Sequence, residues 1–215
     1  MYSRHDLVWL TAQGWQEARA AALPQDRTAL ALWERQDWPG VVRRRDLGAT
    51  ACTISLGISL PPAGAGAPRQ RIALRAATVH VHRHTPALGL GEAAAAAPAG
   101  WRAGLAAMAR DLPELRAYGS LAMQAITGLP YLTPASDVDL LLAPRCCGTL
   151  DHAINLLTAQ AQTLPLDGEI VFPRGEAVAW KEWRDAAART RVLVKTIDAV
   201  RLAERAALLA TLEAA

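Results

Sequence analysis

The chain changes its pattern across a stretch rich in alanine, glycine and proline between residues 86 and 100. Before this stretch, apolar residues fall in short runs bounded by turn residues, which is typical of small antiparallel sheets. After it, amphipathic helical segments alternate with apolar, strand-like runs. We therefore predict two domains, residues 1–90 and 91–215, joined by a linker or a poorly ordered connection.

The first half is predicted to be rich in short strands. Strands are expected at residues 40–44, 51–60, 71–76 and 78–81, and helices near 12–22 and 26–34. Residues 61–68, with the sequence PPAGAGAP, read as a flexible surface loop between two strands. Together these segments predict a small, mostly antiparallel sheet.

The second half is predicted to hold a mixed sheet with helices on one side. Helices are expected at residues 101–112, 121–127 and 149–163 and at the C-terminus, and strands at 116–120, 137–142, 170–172, 177–180 and 192–195. No internal repeat is visible. The predicted fold class is α+β, with a small N-terminal β-rich domain followed by a domain with a mixed sheet and flanking helices.

Composition limits the compartment and the partners. Of the 215 residues 52% are apolar, and the net charge of +3 comes without a long basic run, so an anionic substrate fits and no nucleic acid is expected. Cys52, Cys146 and Cys147 give neither a disulfide framework nor a CxxC pair, which favours a reduced, cytoplasmic compartment. No apolar run reaches the length of a membrane span, so no membrane partner is expected.

Two carboxylates, Asp137 and Asp139, lie at the start of an apolar, strand-like run. Residues two apart in a strand point to the same side, so these side chains are expected to project together. Neighbouring carboxylates repel each other unless a divalent cation neutralises them. The pair therefore predicts a site for Mg²⁺ or Mn²⁺ of the kind that carries out phosphoryl transfer.

Gly119 and Ser120 supply the complementary half of the predicted site. A glycine at a strand-to-helix turn lets the backbone approach a phosphate, and the free N–H groups of the next helix and the Ser120 hydroxyl bind it. A third carboxylate is expected from Asp167 or Glu169, which share a strand face; both remain open, with a preference for Asp167. A DxD pair alone is common, so the prediction depends on the order and spacing of all these parts.

In this order, the motifs resemble the nucleotidyltransferase superfamily typified by DNA polymerase beta. Across nearly the whole chain the sequence is similar, more narrowly, to the malonate decarboxylase holo-acyl-carrier-protein synthases, also called phosphoribosyl-dephospho-CoA transferases. The likeness is carried by Arg4-His5-Asp6-Leu7-Val8-Trp9, Asp37-Trp38-Pro39, Val42-Arg43-Arg44, Gln70-Arg71-Ile72-Ala73, Tyr118-Gly119-Ser120, Gln124 with Thr127-Gly128-Leu129, Ser136-Asp137-Val138-Asp139-Leu140-Leu141, Asp167-Gly168-Glu169, Ala179-Trp180-Lys181-Glu182 and Val194-Lys195.

The resemblance implies a polymerase-beta-like catalytic domain and a definite reaction. The phosphoribosyl-dephospho-CoA part of 2'-(5''-triphosphoribosyl)-3'-dephospho-CoA would be joined to a serine of the apo acyl carrier protein subunit of malonate decarboxylase, with release of diphosphate. A nucleotidyltransferase with a small-molecule or tRNA acceptor is the alternative enzyme. A non-catalytic nucleotide-binding module is the alternative outside enzymes.

Basic residues are the remaining candidates for substrate binding. Lys181 and Lys195 lie in or beside apolar strands, where either could bind the triphosphate as a point charge. Arg43, Arg44 and Arg71 fall in strings that carry the resemblance. They are candidate contacts of the dephospho-CoA phosphates or of an acidic carrier surface, although solvated arginines are the simpler interpretation.

His80, His82 and His84 alternate along the sequence and would share one face of a strand. Three imidazoles on one face could hold zinc. No cysteine or acid nearby in the sequence completes such a site, and the resemblance implies no zinc. Their role is left open.

Overall fold

The computed structural model describes residues 2–64, 70–187 and 190–213. It divides the chain into two compact units, Met1–Pro86 and Ala87–Ala215, so the division falls a few residues before the predicted boundary at residue 90. Residues 65–68 of the predicted loop 61–68 lie outside the described residues.

The described residues of the first unit form a five-stranded sheet in the order β4-β3-β2-β1-β5, and each pair of neighbours is antiparallel. Helices α1 and α2 accompany the sheet. In chain order the elements are β1 (Leu7–Leu10), α1 (Ala12–Ala21), α2 (Arg27–Arg35), β2 (Gly40–Val42), β3 (Thr53–Ser59), β4 (Arg71–Ala77) and β5 (Val81–Thr85).

Alternation of apolar and polar residues explains β4, one edge strand of this sheet. On β4, Ile72 and Leu74 are buried while Arg71 and Arg75 are exposed, which is the pattern of a strand with one face on the core. Strand β1 has no such alternation because all four of its residues are buried. It was therefore not predicted. The predicted strand 78–81 is wrong, since Thr78–His80 form a 3-10 turn.

The described residues of the second unit form a seven-stranded mixed sheet in the order β12-β11-β10-β9-β8-β7-β6. Strands β8 and β9 are parallel, and the other pairs are antiparallel. In chain order the elements are β6 (Leu88–Gly89), α3 (Leu90–Ala94), α4 (Ala99–Asp111), β7 (Arg116–Tyr118), α5 (Gly119–Thr127), β8 (Val138–Leu142), α6 (Cys147–Gln160), β9 (Leu166–Val171), β10 (Ala177–Ala179), α7 (Trp180–Asp185), β11 (Arg191–Lys195), β12 (Val200–Glu204) and α8 (Arg205–Glu213).

These elements confirm the predicted α+β class. They also place an α-helix, α6, in the connection between the parallel strands β8 and β9, as such a crossover requires. In the described parts of the chain, no helix is both long and apolar enough to cross a membrane.

The predicted linker at residues 86–100 is wrong. This stretch forms β6, α3 and the start of α4, and Leu90, Ala93, Ala94 and Ala97 are buried in the core of the second unit. Helix α3 packs against α4 and α5. Alanine favours helices, and its small side chain allows close packing, so a composition that resembles a linker here builds part of the core.

Two further elements of the second unit differ from the prediction. Trp180 was expected to end a strand, but it begins α7, in which Trp180 and Trp183 are buried one turn apart. Strand β11 was expected to be the last, but it pairs along its whole length with β12. Most of β12 is exposed, including its alternating apolar residues Val200 and Leu202.

The packing of α3 can be tested with one buried alanine and one exposed alanine. We expect Ala93→Leu to lower the free energy of unfolding by about 1–3 kcal/mol, because the added carbons overfill a site that has no exposed surface. Ala95→Leu, on the exposed side of the same segment, should change it by less than about 0.5 kcal/mol. Urea denaturation measures both values. Equal effects of the two substitutions would contradict the packed arrangement.

Candidate active site

Three carboxylates lie on neighbouring positions of the second unit's sheet. Asp139 of β8 is paired with Tyr118 of β7 and with Asp167 of β9. Asp137 directly precedes β8, and the alternating burial of residues 136–140 places Asp137 and Asp139 on the less buried side. Paired residues project to the same face of a sheet. Asp137, Asp139 and Asp167 therefore share one face.

Gly119 lies directly against the Asp139 carboxylate. It has a φ of +64°, a conformation that side chains make costly. A Cβ atom at this position would also collide with Oδ2 of Asp139. Both the backbone conformation and the position of the Asp139 carboxylate therefore favour glycine here, and its close approach brings the start of α5 to Asp139.

The N-terminus of α5 leaves backbone donors beside this carboxylate. The first N–H groups of a helix have no partner within the helix, and the side chain of Tyr118 at the N-cap makes no capping hydrogen bond. Ser120, the second residue of α5, is buried. This arrangement joins a carboxylate to a helix N-terminus, where bound anions are stabilised.

Asp167 and Glu169 have different environments, although they lie on the same face of β9. The side chain of Asp167 is 45% exposed, and its Oδ1 lies 3.7 Å from Nζ of Lys181. The side chain of Glu169 is only 5% exposed, and its Oε1 accepts a 3.0 Å hydrogen bond from Nζ of Lys195. A buried carboxylate needs such a cation to offset its lost hydration. Glu169 is thus held by Lys195, whereas Asp167 lies beside Asp139.

Gly168, between these two acids, sets the distance between β8 and β9. Its φ is +135°, and a Cβ atom there would collide with the backbone oxygen and nitrogen of Leu140. Only a residue without a side chain lets the two strands pair at this point. The register that sets Asp139 beside Asp167 therefore depends on a glycine as well.

The chemistry of these donors suits Mg²⁺ or Mn²⁺, which prefer carboxylate oxygens. The absence of a side chain at Gly119 leaves room for the Asp139 carboxylate itself. Within the described ranges, no three His, Cys, Asp or Glu side chains are arranged closely enough to hold a metal ion. Instead, Lys181 is paired with Asp167. The three carboxylates thus have the chemistry that Mg²⁺ or Mn²⁺ prefers, and Lys181 partly neutralises the charge of one of them, Asp167.

The three predicted arginines lie in the first unit, where they do not form one cluster. Arg43 donates two hydrogen bonds of 2.6 Å to Asp46 and one of 2.9 Å to the Leu56 carbonyl oxygen. Hydrogen bonds from Arg43, helped by Arg75, lower the pKa of Asp46 to about 2. Arg44 and Arg71 are exposed. The charge of Arg43 is therefore balanced within the fold.

The three histidines do not share a strand face. His80 lies in the 3-10 turn and its Nε2 is 3.2 Å from Glu17, while Nε2 of His84 is 2.7 Å from the buried Asp6. The pairing of β1 with β5 shifts register between them. Since His80 and His84 have separate acidic partners, and no three metal-binding side chains lie together in the described ranges, the structure gives no support to a zinc site.

One polar residue beside the site had no predicted role. Gln124 of α5 accepts hydrogen bonds from the backbone of the loop that leads to Asp137. The sequence singles out Gln124 only as one of the residues that carry the family resemblance. No local pattern in a single sequence shows that a helical glutamine will bind a loop several residues later.

Two family models match this chain and show which protein family it belongs to. The model described as the phosphoribosyl-dephospho-CoA transferase MdcG N-terminal domain matches residues 3–87, and that of the MdcG C-terminal domain matches residues 87–206. The chain belongs to the phosphoribosyl-dephospho-CoA transferase family. The two matched segments meet where the structure divides the chain into its two units.

Curated relatives of this transferase family agree over nearly the full length. A phosphoribosyl-dephospho-CoA transferase of Xanthomonas campestris pv. campestris is 40% identical over 97% of both chains. That of Bradyrhizobium diazoefficiens is 36% identical over 94% of this chain and 90% of its own. No solved structure matches the chain. The predictions of the family and of a transferase enzyme are confirmed.

Gly119 and Gly175 form a matched pair for testing the contact with Asp139. Both have positive φ, but a Cβ atom at Gly175 would meet nothing within 4 Å. We expect Gly175→Ala to lower the free energy of unfolding by about 1 kcal/mol. Gly119→Ala should lower it by a further ~1–3 kcal/mol, because it also displaces the Asp139 carboxylate. If urea denaturation gave the two variants the same stability, the close approach would be wrong.

Proposed function

We propose that this chain transfers the phosphoribosyl-dephospho-CoA group from 2'-(5''-triphosphoribosyl)-3'-dephospho-CoA to a serine of the apo acyl carrier protein subunit of malonate decarboxylase. Membership of the phosphoribosyl-dephospho-CoA transferase family supports the substrate class. The observation that carries the chemistry is the position of Gly119, at the N-terminus of α5, directly against the Asp139 carboxylate.

The proposed reaction is a single in-line displacement at phosphorus. The serine oxygen attacks the phosphorus atom nearest the ribose and forms a phosphodiester bond. The bond from that phosphorus to the leaving diphosphate breaks, and the serine proton passes to solvent. Negative charge builds up on the diphosphate oxygens, so the protein must supply positive charge and N–H donors at that point.

Asp137, Asp139 and Asp167 are the residues that would hold Mg²⁺ or Mn²⁺ in this proposal. When bound there, the ion would neutralise the triphosphate and lower the pKa of the attacking hydroxyl. As the third ligand we prefer Asp167 to Glu169. Asp167 is paired with Asp139 in the sheet, whereas Glu169 is already bonded to Lys195. The order β7, α5, β8 is consistent with a polymerase-beta-like domain, which we propose for the second unit.

The protein's own groups account for binding of the diphosphate. In this proposal, the N–H groups at the start of α5, which have no partner within the helix, would donate to phosphate oxygens. Lys181 is about half exposed and only 3.7 Å from Asp167, so it is free to move to a phosphate when the acid takes another partner. Lys195 stays on buried Glu169, and its ammonium group has two further hydrogens to donate.

The first unit would contact the rest of the substrate or the carrier protein in this proposal. Arg44 and Arg71 are exposed and remain candidates for phosphate contacts, whereas Arg43 is a weaker candidate because Asp46 holds its guanidinium. We propose that the reaction takes place in the cytoplasm and needs neither nucleic acid nor a membrane.

Mass spectrometry of the apo carrier subunit tests the function. After incubation with Mg²⁺ and triphosphoribosyl-dephospho-CoA, the carrier should gain the mass of one phosphoribosyl-dephospho-CoA group, and diphosphate should appear only when the carrier is present. Asp139→Asn should fold normally but react at least ~10²-fold more slowly, because a charge-stabilising group is lost. Asp151→Asn, which removes an exposed acid of α6, should keep the wild-type rate.

Two results would count against this function. Diphosphate release with ATP and a small hydroxyl compound, without the carrier, would indicate a different acceptor. A near-normal rate of Asp139→Asn would show that this carboxylate does not take part.

A comparison of Asp167→Asn with Glu169→Gln decides the third carboxylate. We expect Asp167→Asn to weaken Mn²⁺ binding at least ~10-fold. Loss of a residue that only hydrogen-bonds to a metal ligand already lowers metal affinity by that factor. Glu169→Gln should leave Mn²⁺ affinity unchanged and raise KM for the triphosphate substrate, because Lys195 loses its partner. Electron paramagnetic resonance of Mn²⁺ measures the affinities. The opposite pattern would assign the metal to Glu169.

A further inference from the structure

The loop at residues 128–136 joins the two halves of the candidate site. It begins where α5 ends, at Gly128, and runs to Asp137 at the start of β8. Gly119 lies at the other end of α5. The position of the Asp137 carboxylate relative to the N-terminus of α5 therefore depends on how firmly this loop is held against that helix.

Gln124 of α5 bonds to the loop and to a third segment. Its Oε1 accepts hydrogen bonds of 3.0 Å from the backbone N–H groups of both Tyr131 and Leu132. Its Nε2 donates a 2.7 Å hydrogen bond to the carbonyl oxygen of Ala96, in the connection between α3 and α4. One side chain thus links α5, the loop and the connection between two other helices.

The three partners fix the orientation of the Gln124 amide. Two N–H donors face one end of the amide and a carbonyl oxygen faces the other, so rotating the group by half a turn would break all three bonds. Glutamate would keep an acceptor for the two N–H groups but would lose the donor to Ala96. Methionine has a similar length and would keep none of the three bonds.

The rest of the loop is held by its own short contacts. Thr127 Oγ1 accepts from the N–H of Leu129 at 3.1 Å, and Ser136 Oγ accepts from the N–H of Thr133 at 2.9 Å. Tyr131 is buried, and burial raises the pKa of its hydroxyl. These contacts shape the two ends of the loop. In its middle, the N–H of Tyr131 is shared between Gln124 Oε1 and the carbonyl oxygen of Leu129, whereas the N–H of Leu132 donates to Gln124 Oε1.

We propose that Gln124 is a positioning residue for the reaction: its amide holds the loop so that Asp137 stands in register with Asp139 beside the N-terminus of α5. The proposal rests on the proposed function. Displacement of a reacting group by about 1 Å can cost ~10²-fold in rate. A loop that loses its central hydrogen bonds is therefore expected to change turnover more than substrate affinity.

The test compares Gln124→Met and Gln124→Glu with Arg102→Met. Arg102 Nε donates a 2.7 Å hydrogen bond to the carbonyl oxygen of Ala97, in the same connection that Gln124 reaches through Ala96. Arg102→Met therefore controls for loosening of that connection. Three properties are measured in the full chain: amide hydrogen exchange across residues 128–137, Mn²⁺ affinity, and kcat and KM for carrier modification.

Gln124→Met is expected to exchange faster at Leu132, and less so at Tyr131, whose N–H also donates to the carbonyl oxygen of Leu129. It should bind Mn²⁺ about 10-fold more weakly and lose ~10–10²-fold in kcat with little change in KM. Gln124→Glu should recover much of this loss because both N–H groups regain an acceptor. Arg102→Met should match the wild type in all three measurements.

The inference is overturned if Gln124→Met keeps wild-type exchange in the loop, or keeps wild-type kcat despite faster exchange. It is also overturned if Arg102→Met loses as much activity as Gln124→Met. A wild-type protein that fails to modify the carrier would instead overturn the proposed function. In that case loop exchange and Mn²⁺ affinity still decide whether Gln124 positions the acids.

Discussion

The close approach of Gly119 to the Asp139 carboxylate is the constraint on which the candidate site depends. The carboxylate occupies the space that a side chain at residue 119 would fill, and the backbone there adopts a positive φ that glycine accepts without strain. The strand that carries the acid and the helix that offers N–H donors thereby meet at van der Waals distance. The proposed reaction depends on this contact, because Asp139 and the N–H groups at the start of α5 must act on the same triphosphate.

The sheet arranges the remaining charges around that contact. The register of β8 and β9 places Asp167 beside Asp139. Two residues further along, Glu169 is buried and neutralised by Lys195, while Asp167 stays accessible beside the half-exposed Lys181. The two acids of this strand face thus differ in exposure: Glu169 is buried and needs the hydrogen-bonded Lys195, whereas Asp167 is half exposed and has only a longer contact with Lys181.

Much of the site could be predicted from the sequence, because it follows from local rules. The period of two in a strand predicted the common direction of Asp137 and Asp139, and a glycine before an apolar helix predicted the turn. The preference for Asp167 over Glu169 that we propose rests on the register of β8 on β9, which no local pattern gives. The same limit applies to the fold: the alanine-rich stretch at residues 86–100 has no hydrophobic period, so its burial in the core could not be seen.

Gly168 has a consequence for protein engineering. Because β8 and β9 pair only if this residue has no side chain, the spacing of the acids is a property of the backbone and not of rotamers that a neighbour could readjust. A library aimed at a new acceptor should therefore leave the strands untouched. In the proposed function the first unit contacts the carrier protein, so variation for a new acceptor belongs in the exposed segments of that unit.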